Sequence, residues 1–342
     1  MRLWQKSGVP VVEGDFKCPP VLFLVFNRPD LARQAFNRIR EAKPAKLFVA
    51  ADGPREDCPG EAELCVEVRR IVECVDWPCE VYRLYSEYNL GCREGPIAGI
   101  NWIFKHVEQA IILEDDCLPH PCFFRFAGEM LEKFRDDTRV MHISGDNFAP
   151  SASPLCSSYY FSRYPLVWGW ATWRRAWSLY DPDMTDWPVL RNTDWVENTF
   201  SEKKQAQYWK TRLDFTMEHE LSHSWDYQWM FTCWRHNSFN VTPGVNLVSN
   251  IGFGPNATHT VDPDASWANI KGRRMVFPLR HPGDMTICEH ADRSTFNCRF
   301  LHSVSIFRRS LRRMSERHFW GSLLRRMPLG SKMLALRKHV RQ

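Results

Sequence analysis

The sequence predicts an α/β fold, with a mainly parallel sheet and helices on both faces, and three observations carry the prediction. Short apolar runs alternate with stretches of helical period from residue 21 to residue 144. Three of those runs end in polar residues, Asn27-Arg28, Asp52-Gly53 and Glu114-Asp115-Asp116. In an open sheet these would be carboxyl ends of strands, where ligands bind. The composition, 44% apolar and 25% charged over 342 residues, is that of an ordinary globular chain able to bury a sizeable core.

Val21–Phe26 reads as a buried strand closed by Asn27-Arg28-Pro29-Asp30. Asp30 reads as the N-cap of a helix over Leu31–Ala42, where Leu31, Ala35, Ile39 and Ala42 recur at helical spacing. Leu47–Ala51 and Glu80–Leu84 follow as strands, with a helix over Glu61–Val75 between them. Pro96–Val107 reads as a helix, Ala110–Leu113 as a strand, Phe123–Phe134 as a helix and Val140–Ser144 as a strand. After residue 150 the pattern becomes mixed α+β. It runs through a strand at Tyr159–Tyr164, a Trp-rich segment Trp168–Tyr180, a long polar helix Ser201–His223 and a buried helix Trp225–Trp234. Short strands at Phe239–Val241 and Val245–Val248 end the series.

Charge is unevenly spread. From Ser303 to Gln342 there are eleven Lys/Arg against one Glu, Glu316, a net of +10; with +5 overall, the remainder carries −5. Basic charge confined to the end argues against nucleic acid as a partner. In that tail Val304, Phe307, Leu311 and Met314 recur at helical spacing between Arg pairs, and Phe319, Trp320, Leu323 and Leu324 extend the face. Such a basic amphipathic helix either lies on an anionic membrane surface or packs on its own domain. No run of 18 apolar residues occurs, and Met1–Pro20 lacks the continuous apolar stretch of a secretory signal. The expected location is therefore cytoplasmic, with the tail available for peripheral attachment to the cytoplasmic face of a membrane. The 12 cysteines include no C-x-x-C and read as reduced, small hydrophobes.

Three adjacent carboxylates, Glu114, Asp115 and Asp116, are costly to gather beside a low-dielectric core. A hard cation, Mn2+ or Mg2+, would offset that cost and grip a diphosphate; a solvated acidic turn is the plainer alternative. His219-Glu220-Leu221-Ser222-His223 is a literal H-E-x-x-H, the pattern of a zinc hydrolase. The extended form of that motif wants Gly and His three and six residues after His223, where Asp226 and Trp229 stand. Gly252–Ala257 matches G-x-G-x-x-A but carries Pro255 and has no helix after it, which argues against a dinucleotide site.

Taken in order, Phe26-Asn27-Arg28-Pro29, Asp52-Gly53, Glu114-Asp115-Asp116, Trp168-Gly169-Trp170, Trp225-Asp226 and Gly252–His259 resemble the motif series of GT-A-fold, nucleotide-sugar-dependent glycosyltransferases. The likeness is to the bacterial relatives of N-acetylglucosaminyltransferase I and covers about Val21–Thr260. It implies a GT-A-like, Rossmann-like sheet in three parts. Residues 1–150 would form a nucleotide-sugar-binding half, 151–302 an acceptor and catalytic half, and 303–342 the basic amphipathic tail. It implies an inverting hexosyl- or N-acetylhexosaminyl-transferase using Mn2+ or Mg2+, a UDP-linked donor and a carbohydrate or lipid-linked acceptor. Arg28 would then contact the nucleotide diphosphate or base, Asp52 the uracil, Asp115 the ribose, Glu114 the donor sugar and Asp116 the metal. Trp168, Gly169 and Trp170 would wall the sugars, and His259 would belong to a loop closing over the diphosphate. Asp226 would be the catalytic base, although the family's W-D-D-W reads here Trp225-Asp226-Tyr227-Gln228-Trp229, with a single Asp. Other roles stay open on the residues alone: a helix N-cap for Asp226, a structural turn for Arg28, core packing for the Trp residues. So do two other functions, the zinc hydrolase and a non-catalytic nucleotide-binding or membrane-adaptor protein.

Overall fold

Every residue of β1 (Val21–Val25) is buried, and alternate side chains enter two different cores. Val21, Phe23 and Val25 meet Ala32, Ala35, Phe36 and Ile39 of α1 (Pro29–Ala42), while Leu22 and Leu24 face the opposite side. A strand covered on both faces reads in sequence as an unbroken apolar run. Each such side chain contributes about 1.5–3 kcal/mol on burial, against about 1–2 kcal/mol for ordering its backbone. The computed structural model describes residues 16–153, 156–220, 225–253, 267–268 and 270–301. The tail from 303 on, His223 and His259 lie outside the described residues.

The chain continues through β2 (Lys46–Ala51), α2 (Glu61–Val72), β3 (Glu80–Tyr85), α3 (Gly91–Ile103), β4 (Gln109–Glu114), β5 (Cys117–Pro119), α4 (Cys122–Lys133) and β6 (Val140–Ser144). Then come β7 (Tyr159–Ser162), β8 (Trp170–Trp173), α5 (Arg174–Trp177), α6 (Trp187–Leu190), α7 (Trp195–Thr199), α8 (Lys203–Phe215), α9 (Asp226–Arg235), β9 (Phe239–Pro243), β10 (Val248–Asn250) and α10 (Glu289–Thr295). An eight-stranded sheet has the order β3-β2-β1-β4-β8-β6-β9-β7. The run β3-β2-β1-β4 is parallel, β8 is antiparallel to both neighbours, β6 and β9 are parallel, and β7 is antiparallel to β9. The expected α/β class holds, and one sheet draws strands from both sides of residue 150. On the α1 side α2 and α4 complete the core; on the α3 side Trp170, Trp177, Trp225 and Trp229 pack with Ile97, Ile100 and Ile103. Two compact units divide the chain, Met1–Ser294 and Thr295–Gln342; of the second, Thr295–Leu301 is described and includes a π-helical turn at Phe296–Phe300.

Several expectations are corrected. Asp30 is not the N-cap of α1. Arg28 holds that position, Pro29 opens the helix where its missing N–H costs nothing, and Asp30 sits in the first turn. α3 begins at Gly91 rather than Pro96, because the carboxylate of Asp52, far off in sequence, takes the N–H groups of Leu90 and Gly91. The helix expected to Val107 stops at Ile103. The helix expected over Ser201–His223 is α8 followed by a π-helical turn at Thr216–Glu220. The strand expected at Val245–Val248 starts only at Val248, and β10 pairs with β5, a strand not foreseen, in a separate two-stranded ribbon. All 12 cysteines are free thiols. Among the described residues no helix is long and apolar enough to cross a membrane.

Candidate functional site

From β1 the chain moves outward to β2 and β3, and from β4 the sheet grows the other way. The gap beyond β1 and β4 is therefore the switch point at which open sheets bind ligands. Leu24 pairs with Glu114, so the two strands end level and Arg28 emerges beside the acidic triplet. The Arg28 guanidinium grips Asp115 through Nη2, reaches Asp115 Oδ2 through Nε at 3.4 Å, and donates through Nη1 to Asp116 Oδ2 at 3.0 Å. Burial opposes the charge on Arg28, but Asp115 and Asp116 outweigh it, so its pKa lies above the ordinary value.

The pleat splits the triplet. Ile111 and Leu113 belong to the α1-side core and Ile112 to the α3-side core, so the same alternation turns Glu114 toward α3 and α9. Asp115, held by Arg28 from the start of α1, lies on the other side. Burial, then the charges of Asp116 and Asp115, hold the Glu114 carboxyl well above the usual carboxylate range; Arg28 offsets part of this and Asp226 adds to it. Burial also raises the thiol of Cys92, in the first turn of α3, and after it the charges of Asp226, Glu114 and Asp52. Asp52, Glu114 and Asp226, remote in sequence, thus converge on the start of α3. Asp226 itself opens α9 directly after its N-cap, Trp225.

Asp52 acts as a loop anchor. Its Oδ1 accepts from the backbone N–H of Gly53 and Leu90, both at 2.8 Å. Its Oδ2 accepts from Gly91 N–H and from Asn89 Nδ2, both at 3.0 Å. A carboxylate has about four acceptor sites, and these four bonds fill them. Trp168-Gly169-Trp170 does not act as one wall. Gly169 adopts φ +65°, a left-handed conformation that suits glycine, and its carbonyl accepts from Gly145 N–H at 2.7 Å. That turn sends the two rings apart. Trp170 is only 1% exposed and packs in the α3-side core, which removes it from a sugar wall. Trp168 instead borders a narrow crevice with Asp146, Phe148, Asn246, Val248, Asn250 and Ile270.

Sequence reasoning missed Asp146, Asn246, Asn250 and Cys92. Asp146 was within reach of the same rule that found Asp52 and Glu114, because Gly145-Asp146-Asn147 follows the end of β6. Gly252 was read as part of a weak glycine motif and as the first residue of the Gly252–His259 segment, with no role of its own. Its role is steric: a Cβ there would stand 2.7 Å from Cβ and 2.9 Å from Cγ of Asp116.

Asp116 is 7% exposed, with Oδ2 bonded to Arg28 and Oδ1 accepting from Cys117 Sγ at 3.6 Å. Among the described residues no three His, Cys, Asp or Glu form a metal-holding group. A single hard carboxylate completed by phosphate oxygens and water is how Mg2+ is commonly held, and Mn2+ accepts the same oxygen donors, so the residues present fit such a cation bound together with a diphosphate. His219 is exposed on the π-helical turn with Glu218 at 3.7 Å, while the side chain of Glu220 and all of His223 lie outside the described residues. No protein-family model matches the sequence, and no curated protein matches it.

Proposed function

We propose that this protein is a metal-dependent, inverting glycosyltransferase with a GT-A-like fold. In this reading it moves a hexosyl or N-acetylhexosaminyl group from a nucleotide-diphosphate sugar, UDP-linked by first expectation, to a glycan or glycolipid-type acceptor. The observation that carries the reading is convergence: Arg28, Asp52, Glu114, Asp115, Asp116 and Asp226 come together around the ends of β1, β2 and β4 and the starts of α3 and α9. Proximity of carboxylates alone describes many sites. What favours transfer is the mixture: a half-buried guanidinium for a diphosphate, a hard carboxylate for a cation, and a separate carboxylate at a helix start.

Asp116 would hold Mn2+ or Mg2+ together with the diphosphate, and the cation would stabilise the charge that develops on the leaving group. Arg28 would turn its fork of N–H donors from the carboxylates to phosphate oxygens. Asp226 would take the acceptor hydroxyl proton as that oxygen attacks C1 of the sugar from the face opposite the diphosphate; the C1–oxygen bond to phosphate breaks and the anomeric configuration inverts. No enzyme nucleophile is required.

Calorimetric titration with UDP, with and without Mn2+, tests the reading. The wild type should bind UDP in a Mn2+-dependent manner. Asp116→Ala, checked for folding by circular dichroism, should lose that dependence entirely. Unchanged Mn2+-dependent affinity in the folded variant overturns the metal assignment. A panel of nucleotide sugars, followed for metal-dependent transfer or hydrolysis, separates an enzyme from a non-catalytic nucleotide binder.

A further inference from the structure

The start of α9 is fixed by polar contacts buried in an aromatic core. Tyr180 Oη donates to the carbonyl of Trp225, the N-cap residue, at 3.2 Å. The same carbonyl accepts Trp229 N–H at 3.1 Å, and Trp229 Nε1 donates to His142 Nδ1 at 3.1 Å. Indole N–H is donor only, so Nδ1 of His142 must be the acceptor; the ring proton sits on Nε2 and goes to Leu166 O at 2.8 Å. Burial lowers the His142 pKa to about 3, which keeps the ring neutral in this tautomer. The rings are layered too: Trp170 stacks on His142 at 4.9 Å and on Trp225 at 5.7 Å, and Tyr180 stacks on Trp177 at 4.3 Å. Tyr180 lies close enough to Asp226 for that charge to help raise its phenol pKa; burial is the larger cause, so the hydroxyl stays a donor.

A core of flat rings alone leaves a helix free to turn or slide by small steps, because many packings are nearly equal in energy; directional bonds select one. A side chain ends about 5–6 Å from a helix axis, so a turn of about 10° moves its tip by about 1 Å. A displacement of that size at a reacting group costs up to about a hundredfold in rate. We infer that Tyr180, together with the Trp229–His142 pair, forms a clamp that sets the orientation of α9 and so positions the carboxylate of Asp226. This inference rests on the proposed role of Asp226 as base. The clamp residues touch neither donor nor acceptor; they act through Asp226.

The discriminating variant is Tyr180→Phe, which removes one hydroxyl and keeps the ring stack. Trp229→Phe, which removes the N–H to His142, is its companion should the first variant fold poorly. Each is compared with wild type for donor turnover by the nucleotide-sugar panel, for Mn2+-dependent UDP affinity, and again in an Asp226→Asn background. The expected result is a fall in kcat of about tenfold or more with KM and UDP affinity within about twofold, and no further loss in the Asp226→Asn background, because residues acting as one unit are not additive. Unchanged kcat overturns the clamp. So does a loss that repeats in full in the Asp226→Asn background, or one accompanied by an equal loss of UDP affinity. A wild type that turns over no donor in the panel overturns the transferase reading itself, and the clamp with it.

Discussion

The two faces of the sheet treat the same acidic triplet differently. On the α1 side burial also raises the Asp115 carboxyl, but the Arg28 guanidinium bonds it directly and offsets part of that push. On the α3 side Glu114 is turned toward Asp226 and the start of α3, where Asp52 is already committed to backbone N–H groups, and its carboxyl is pushed upward. The helices differ in the same sense. α1 presents a cation at its N-cap and packs through Ala32, Ala35, Phe36 and Ile39, whereas α9 presents a carboxylate and packs through tryptophans, of which Trp229 donates to the buried His142. One face is arranged to neutralise charge, which suits holding an anionic ligand. The other gathers carboxylates at the starts of α3 and α9, which suits proton transfer.

If that division is right, variants on the two sides should separate rate from affinity. The largest effect belongs to Asp226→Asn. It keeps size and much of the helix-start hydrogen bonding but cannot take a proton. Transfer should slow by at least about a hundredfold, the usual scale for losing general-base catalysis, with UDP affinity nearly unchanged. Near-normal transfer would dismiss Asp226 as the base, and a product retaining the donor's anomeric configuration, read by proton NMR, would remove the inverting mechanism. Arg28→Lys is the counterpart on the α1 side. Lysine keeps the charge but loses the planar fork that spans Asp115 and Asp116 and would span a diphosphate. UDP affinity measured by calorimetry should weaken about tenfold, the low end for a charged hydrogen bond, while kcat at saturating donor changes little. A variant that loses kcat but not affinity would erase the contrast between the faces.

What the sequence made legible follows the same line. β1, β2 and β4 were visible because burial on both sides writes them as unbroken apolar runs, and the polar residues that follow them mark the binding edge. Asp226 was picked out only by the resemblance of Trp225-Asp226 to the W-D-D-W segment, and it stands at the first position of α9. The start of α3 was not, because its cap comes from Asp52 at the end of another strand, and local reading sees only Pro96. The divergence of Trp168 and Trp170 was hidden in one dihedral, that of Gly169. The clamp on α9 was hidden because His142, Leu166, Tyr180 and Trp229 meet only after β6, β8 and α9 have packed.

The smallest expected effect is the sharpest test of how Asp116 is supported. Gly252 follows β10, which lies across β5, and Ile251 N–H donates to the Asp116 carbonyl at 2.8 Å, so backbone and carboxylate are held against each other. In Gly252→Ala the new methyl would stand 2.7 Å from Asp116 Cβ, inside any tolerated contact. Two ways of relief exist. The Asp116 side chain can leave its rotamer, at a cost of about 0.5–1.5 kcal/mol, or β10 can lift slightly from β5. Either route leaves the carboxylate present but misdirected by a few tenths of an ångström. At about 1.4 kcal/mol per factor of ten, Mn2+-dependent UDP affinity should fall roughly two- to tenfold, far less than in Asp116→Ala. UDP binding without metal should change less, since Arg28 loses at most its bond to Asp116 and keeps those to Asp115, and the start of α3 is untouched. Equal weakening with and without Mn2+ would mean that Gly252 shapes the nucleotide pocket in general. A loss confined to the metal-dependent part would tie this glycine to the direction in which Asp116 points.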